Sequence, residues 1–291
     1  MEPATLYLVT TPIGNLADLS ERGLKVLREC DFIAAEDTRN TRRLLAHFDI
    51  HKELVSYHEH NKAAKGDVLC DRIAAGESCA LVTDAGMPGI SDPGEDLVKK
   101  CAERKISVTA VPGPCAAVTA LSLSALACGR FAFEGFLPQQ SKEKKKRLEQ
   151  IKGEVRTLIF YEAPHRLAQT LSDLAQTLGE NRRISLCKEL TKLNEDIART
   201  TIGEAISALE ITPARGEYVL IVEGLEEYQK RMPSPTSEVG ETDFSALSPE
   251  EHVRLYEKRG LSHKDALKAA AADRGMTKST FYRLLLDTKE E

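Results

Sequence analysis

Short apolar runs separated by longer amphipathic stretches set the pattern of the first part of the chain. Leu6 to Thr10, Asp31 to Ala35, Leu54 to Tyr57, Cys79 to Thr83 and Ile106 to Val111 read as strands. Between them lie stretches of helical period. These are Leu19 to Glu29, the segment EDTRNTRRLLAHF with its stripe of Leu44, Leu45 and Phe48, a helix after HEHN running through Ile73, and EDLVKKCAERK. Strands alternating with helices of about ten residues predict parallel pairing and a doubly wound α/β layer.

A second unit begins near Phe131. Arg156 to Tyr161, Arg183 to Cys187, Ile197 to Thr201 and Tyr218 to Val222 have strand character, and helices are expected from about His165 to Leu178 and over Glu204 to Glu210. That order predicts an α+β arrangement on a mixed sheet. The stretch 226–243 contains PSPTSEVGETD, is poor in apolar residues and reads as a flexible linker. Beyond it, Ser248-Pro249-Glu250-Glu251 is a capping box with proline at the first helical position. Ser262 to Asp265 repeats the cap pattern, and Gly260 and Gly275 supply stops. LSHKDALKAAAADRGMTKSTFYRLLL then spells helix, tight turn, helix, with Thr277 capping the last helix: a helix-turn-helix pattern. Lys278, Ser279, Thr280, Tyr282 and Arg283 are its candidate nucleic-acid contacts, although the same pattern serves a plain three-helix packing module. The expected organisation is α/β over 1–125, a second α/β domain over 126–225, a linker over 226–243 and a helical module over 244–291.

Three loops at predicted strand ends carry the chemistry. They are Thr10 to Asn15, DAGMPGISDPG (Asp84 to Gly94) and PGPCAA (Pro112 to Ala117). In an open parallel sheet, ligands sit beyond the carboxyl ends of the strands. Glycine there lets backbone approach a ligand without a Cβ, and proline fixes the path of the loop. One such loop is what any βα turn requires; three mark the lip of a small-molecule pocket.

Composition narrows the class. A net charge of −5 and 42% apolar residues describe a globular chain with room for two cores. Between Gln139 and Arg156, seven Lys/Arg face three Glu, a local balance of +4 that suits either a solvated helix face or a phosphate-binding patch. The seven cysteines are scattered without a CxxC pair and read as reduced core residues, so no zinc site is expected. The N-terminus enters a strand without a basic leader. The longest nearly apolar run, Ala116 to Cys128, is too short and too rich in Ser and Thr to span a bilayer. A cytosolic protein without a membrane partner is expected. TPIGNL is neither a Walker loop nor GxGxxG, and GxSxG and HExxH are missing, which disfavours ATP-hydrolysing and dinucleotide-dependent chemistry.

LYLVTTPIGNLADLS, AAEDTRNTRRLL, SYHEHN, ALVTDAGMPGISDPG, AVPGPCAAVTAL, FEGFLP, YEAPHR, KELTK and EYVLIVEG occur in that order from Leu6 to Gly224. Together they resemble the tetrapyrrole-methylase family, and within it the branch that methylates a ribose 2′-oxygen of a decoding-centre cytidine in 16S ribosomal RNA. The resemblance implies two α/β domains with an S-adenosyl-L-methionine cleft between them, usually in a homodimer, with the small ribosomal subunit or its RNA as partner. It places cofactor contacts at Pro12, Gly14, Asp84, Gly86, Met87, Ile90, Cys115, Ala116, Tyr161 and Gly216. The chain has Thr-Thr-Pro-Ile-Gly-Asn where tetrapyrrole methylases read Gly-x-Gly-Pro-Gly, and Met87 stands at the Asp of their Gly-Asp-Pro. Both departures fit an acceptor other than a tetrapyrrole.

A ribose hydroxyl is a poor nucleophile near neutral pH, so a base or a cation beside the developing alkoxide is expected. Asp37, Arg39, His58, Glu59, Glu162, His165, Lys188, Glu189 and Lys192 follow predicted strands and are the candidates. Glu189 and Lys192 are placed near the acceptor, with Arg39 and His58 holding RNA phosphate or base. Two other readings stay open on sequence alone: a methylase of small corrinoid precursors, and a cofactor-free RNA-binding assembly factor on the same fold.

Overall fold

The computed structural model of the protein describes residues 2–232, 247–258 and 263–287. The chain divides into two compact units, Met1–Leu225 and Glu226–Glu291.

The first unit holds two five-stranded sheets. Strands β1 (Thr5–Val9), β2 (Phe32–Ala35), β3 (Glu53–Ser56), β4 (Cys79–Val82) and β5 (Ser107–Val111) form the first, all parallel, in the order β3-β2-β4-β1-β5. FIAA and CALV are buried at every residue, as strands covered on both faces must be. Alternation sorts β1 between two cores. Tyr7 and Val9 pack with Leu27, Ile33 and Leu45, which come from α1 (Glu21–Glu29), β2 and α2 (Thr38–His47). Leu6 packs on the other face with Leu69, Ile73 and Leu97, from α3 (Lys62–Ala74) and α4 (Gly94–Glu103).

The second sheet contains β6 (Phe131–Gly135), β7 (Thr157–Glu162), β8 (Arg183–Lys188), β9 (Asp196–Thr201) and β10 (Tyr218–Val222), ordered β6-β7-β10-β8-β9. Only the β6–β7 pair is parallel, so the sheet is mixed as expected. Its two faces are covered differently. Helices α6 (Ser141–Ile151), α7 (Pro164–Leu178) and α8 (Ile202–Ile211) bury Ile151, Leu167, Leu171, Leu174 and Ile202 against one. The other receives α5 (Ala116–Leu123), whose Ala117, Ala120 and Leu121 pack on Ile159, Cys187, Val219 and Ile221. The helix leaving the first sheet is thus the packing partner of the second. β6 was not expected as a strand: FAFEG is an edge with one fully buried residue and a register shift between Phe133 and Gly135, so its alternation is weak.

Helix α9 (Leu225–Arg231) takes up the first residues of the segment expected as linker, whose residues 233–243 lie outside the described ones. Helices α10 (Pro249–Lys258), α11 (His263–Asp273) and α12 (Lys278–Asp287) enclose Val253, Tyr256, Ala266, Leu267, Ala270, Ala271 and Phe281. The capping box forms: the Ser248 N–H donates to Glu251 Oε2 at 2.9 Å and the Glu251 N–H to Ser248 Oγ at 3.2 Å. Gly275 ends α11 at φ +64°, and Thr277 Oγ1 accepts the Thr280 N–H at the start of α12. Lys278, Thr280, Tyr282 and Arg283 are exposed; the Ser279 side chain, Gly260 and Ser262 lie outside the described residues.

Candidate active site

The loops at the carboxyl ends of β1 and β4 are stitched to each other. Thr11 and Gly86 exchange both backbone hydrogen bonds at 3.0 Å, and Thr11 Oγ1 donates to the Thr83 carbonyl at 3.1 Å. Gly86 sits at φ +84°, which a residue with a Cβ seldom adopts. The rest of that loop winds around the Asp92 carboxylate, which accepts the N–H groups of Gly89, Ile90 and Gly94 at 2.7–3.2 Å. Thr10 Oγ1 donates to the Val111 carbonyl at 2.7 Å and ties in the β5 end. There Cys115 precedes α5 in extended conformation and no side chain caps the helix, leaving its first N–H groups beside the space the loops enclose.

The second sheet supplies the facing wall. At the end of β7, Tyr161 lies edge-on to Phe133 at 5.1 Å and Phe136 at 5.7 Å, and burial pushes its hydroxyl up to about 12. Glu162 is buried and accepts from Thr170 Oγ1 at 2.5 Å and from the Ala163 N–H at 2.9 Å. After β8, Glu189 and Thr191 both take positive φ, +51° and +65°. Such backbone is held only where surrounding contacts over-determine it. Here the Glu217 N–H donates to Glu189 Oε1 at 2.8 Å, the Thr191 N–H to Glu195 Oε2 at 2.6 Å, and Lys192 Nζ to Glu189 and Glu217 at 2.9 and 2.8 Å.

Between the walls lies a cavity of about 370 Å³, within the range of small-molecule sites. Asp84, Gly86, Met87, Ile90, Cys115, Ala116 and Tyr161 line it, as do Glu162 and Lys192. Pro12 and Gly14 line a neighbouring hollow of about 300 Å³, with Asp84 and Thr83 shared between the two. Gly216 lines neither: at φ +81° it lies against Glu189, whose Cγ would be 2.5 Å from an added Cβ. Gly14 likewise faces Lys192 and the Leu190 carbonyl.

Arg39 and His58 also line neither space. Arg39 is exposed and forked onto the Asp37 carboxylate at 2.7 and 3.1 Å; His58 hydrogen-bonds with Asn61. Asp37, Glu59, His165, Lys188 and Glu189 stand outside both linings. Sequence reasoning did not single out Glu36, Ser91, Asp92, Phe136, Leu190 or Glu217, all of which line the larger cavity. Of these, Phe136 had a readable signal, an aromatic residue between a glycine and a proline in FEGFLP.

The electrostatics favour a cation. Glu36, Asp84, Asp92, Glu162 and Glu217 line the cavity against the single ammonium of Lys192. Burial raises the Asp84 carboxyl, only partly offset by the Asn40 amide, and Glu36 and Asp37 push it further up. Glu189 is lowered by the Glu217 N–H and then by Lys192. Lys192 is raised: the carboxylates of Glu217 and Glu189 outweigh its burial.

The family model described as Tetrapyrrole (Corrin/Porphyrin) Methylases matches residues 5–206. The chain belongs to the tetrapyrrole methylase family. Its similarity to individual members runs almost end to end. It is 48% identical over 283 residues to a Halalkalibacterium halodurans protein named Ribosomal RNA small subunit methyltransferase I, covering 97% of this chain and 95% of that one. It is 43% identical over 284 residues to the protein of the same name from Escherichia coli O157:H7, covering 97% and 94%. Among solved structures, the uroporphyrin III C-methyl transferase from Thermus thermophilus superposes with a TM-score of 0.54 at 18% identity, over 75% of this chain and 97% of that one. At that identity it shows the tetrapyrrole methylase fold alone. Among the described residues no helix is long and apolar enough to cross a membrane, and no His/Cys/Asp/Glu cluster could hold a metal ion.

Proposed function

We propose that this chain is an S-adenosyl-L-methionine-dependent methyltransferase of small-subunit ribosomal RNA, acting on the 2′-oxygen of a cytidine ribose in the decoding centre. The observation that carries the reading is the identity of 48% over 97% of the chain to a relative with the printed name given above. The nucleotide, the 2′-oxygen and a homodimer follow from the motif resemblance, a cytoplasmic location from the scattered reduced cysteines, and a role in engaging RNA from the helical unit's helix-turn-helix pattern.

The cavity fits the cofactor. Five carboxylates around one ammonium suit a ligand of net positive charge, and Ile13, Met87, Ile90, Tyr161 and Val219 offer apolar wall to a purine and an aliphatic chain. The uncapped start of α5 suits a carboxylate. When bound, S-adenosyl-L-methionine supplies a methyl group carried on a sulfonium.

The chain's own residues divide the remaining work. Lys192, held protonated by its two carboxylate partners, stabilises negative charge on the acceptor oxygen; preorganised groups of this kind contribute about 2.7–4 kcal/mol. Glu189, depressed and pinned by the Glu217 N–H, is a poor proton acceptor and instead positions Lys192. Asp84, raised by burial, is the better-matched base and stands where the two hollows meet. Alignment itself can contribute about 7–11 kcal/mol, provided the loops stay fixed.

The test is transfer of labelled methyl from S-adenosyl-L-methionine to small ribosomal subunits or naked 16S RNA. Alkali-resistant label at one cytidine is expected. Label only in a tetrapyrrole, or no cofactor binding by calorimetry, would reject the reading.

A further inference from the structure

The geometry points to a built entry for the acceptor strand: Phe136 is the platform on which the target nucleotide's base stacks at the cavity mouth, and Lys142, Lys145 and Lys146 on α6 hold the phosphates of the same strand. This rests on the RNA-methyltransferase reading above and adds the residues that would read the acceptor.

Phe136 is an apolar side chain in an unusual place. It is 53% exposed, yet it lines the cavity and meets the edge of Tyr161. Its position is fixed from both sides. Gly135, at φ +62°, lies against Ser91 Oγ on the β4 loop, and the carbonyl of buried Leu137 accepts from Arg166 Nη2 at 2.7 Å. A half-exposed ring on an anchored backbone, braced by Tyr161 in the cavity lining, is what a stacked base requires, because every base has a π-face.

The basic helix follows immediately, and its charges are of two kinds. Lys144 pairs with Asp173 at 2.6 Å and Arg147 with Glu134 at 2.5 Å, on the side where Ile151 is buried. These two are consumed in fixing α6 to the body. Lys142, Lys145 and Lys146, at i, i+3 and i+4, share the opposite side; all three are exposed and have no ion-pair partner among the described residues. Three unneutralised ammonium groups on one face of a chain with net charge −5 are complementary to a phosphate backbone. Lys142 follows Phe136 by six positions, so the first ammonium stem is rooted within about 21 Å of the Phe136 Cα. That is a span of a few nucleotides.

The experiment compares full-length wild type, Phe136→Ala, Phe136→Tyr and the triple variant K142A/K145A/K146A on small subunits from a strain lacking this activity. Expected for Phe136→Ala is a KM for subunits raised about 5- to 150-fold, the range of base–aromatic stacking, with Phe136→Tyr restoring it. The triple variant should keep wild-type cofactor affinity by calorimetry. Its slope of log Kd against log salt should flatten by about 2, from about 0.7 per single-strand phosphate contact. Unchanged KM and unchanged slope while wild type labels rRNA would overturn this inference alone. No label from wild type would remove the functional reading and this inference with it. A KM change in Phe136→Ala that tracks loss of a dimer in sedimentation would assign the ring to a subunit contact and also overturn it.

Discussion

Gly14 offers the sharpest test of how the two walls of the cavity are joined. An added Cβ there would stand 2.5 Å from Lys192 Cγ, 2.8 Å from Thr191 Oγ1 and 2.9 Å from the Leu190 carbonyl oxygen. Carbon–carbon contacts are optimal near about 3.5–4.0 Å, so the overlap is about 1 Å. The Lys192 stem can swing, but the Leu190 oxygen is backbone and Thr191 is already locked at φ +65°. Gly14→Ala is therefore expected to destabilise the first unit by about 1–3 kcal/mol. For a unit of this size that lowers Tm by about 2–12 °C. It should also displace Lys192 from the cavity and reduce turnover. Calorimetric melts and a double-mutant cycle with Lys192→Ala measure this. Removing the Lys192 stem relieves one of three overlaps, so Gly14→Ala should be less damaging in that background by about 0.5 kcal/mol or more. If Gly14→Ala leaves Tm alone and weakens only the cofactor, with effects additive to Lys192→Ala, then Gly14 serves ligand approach and the loop-contact argument fails.

Asp84→Asn should move stability and affinity in opposite directions. A carboxyl raised by burial favours the folded state when protonated and loses that contribution as pH rises through its folded value, so the amide should melt higher than wild type at pH 7 and match it in acid. Its affinity for a sulfonium ligand by calorimetry should fall, and a parallel loss of both would contradict this. Lys192→Met should lower turnover about 10²–10³-fold with little change in S-adenosylhomocysteine affinity, and single-turnover rates would show it. Deleting 244–291 should weaken RNA binding in filter assays while sparing the cofactor, because every residue lining the cavity precedes position 220. Equal loss of both would end that division of labour.

The parallel sheet was legible because its strands are short, continuous apolar runs such as FIAA and CALV, each followed by a glycine- or proline-bearing loop or a helix cap. β6 was not, since an edge strand with one buried residue carries little alternation. The site was legible where a loop announces itself locally. Asp84, Gly86, Met87, Ile90, Cys115 and Ala116 line the cavity from two local motifs. What remained hidden depends on contacts between distant segments. Gly216 is needed by Glu189 rather than by the cavity, and Glu217 enters the lining because β10 sits between β7 and β8. The Arg39 fork onto Asp37 was equally unreadable, because EDTR spells a cluster of charges without saying which cancel.

The interior place of β1 in its sheet, between β4 and β5, bears on how the chain is made. TLYLV leaves the ribosome before both of its neighbours, β4, paired at Leu6 with Cys79, and β5, paired through Val9 with Val111. At about 5–20 residues per second the strand waits several seconds for both partners. During that interval an apolar segment with free backbone edges is exposed to any other nascent strand. The three-helix unit at the other end closes on contacts of short sequence separation and has no such delay. Slow closure of the parallel sheet and quick closure of the three-helix unit predict that residues 5–111 lean most on chaperones during synthesis.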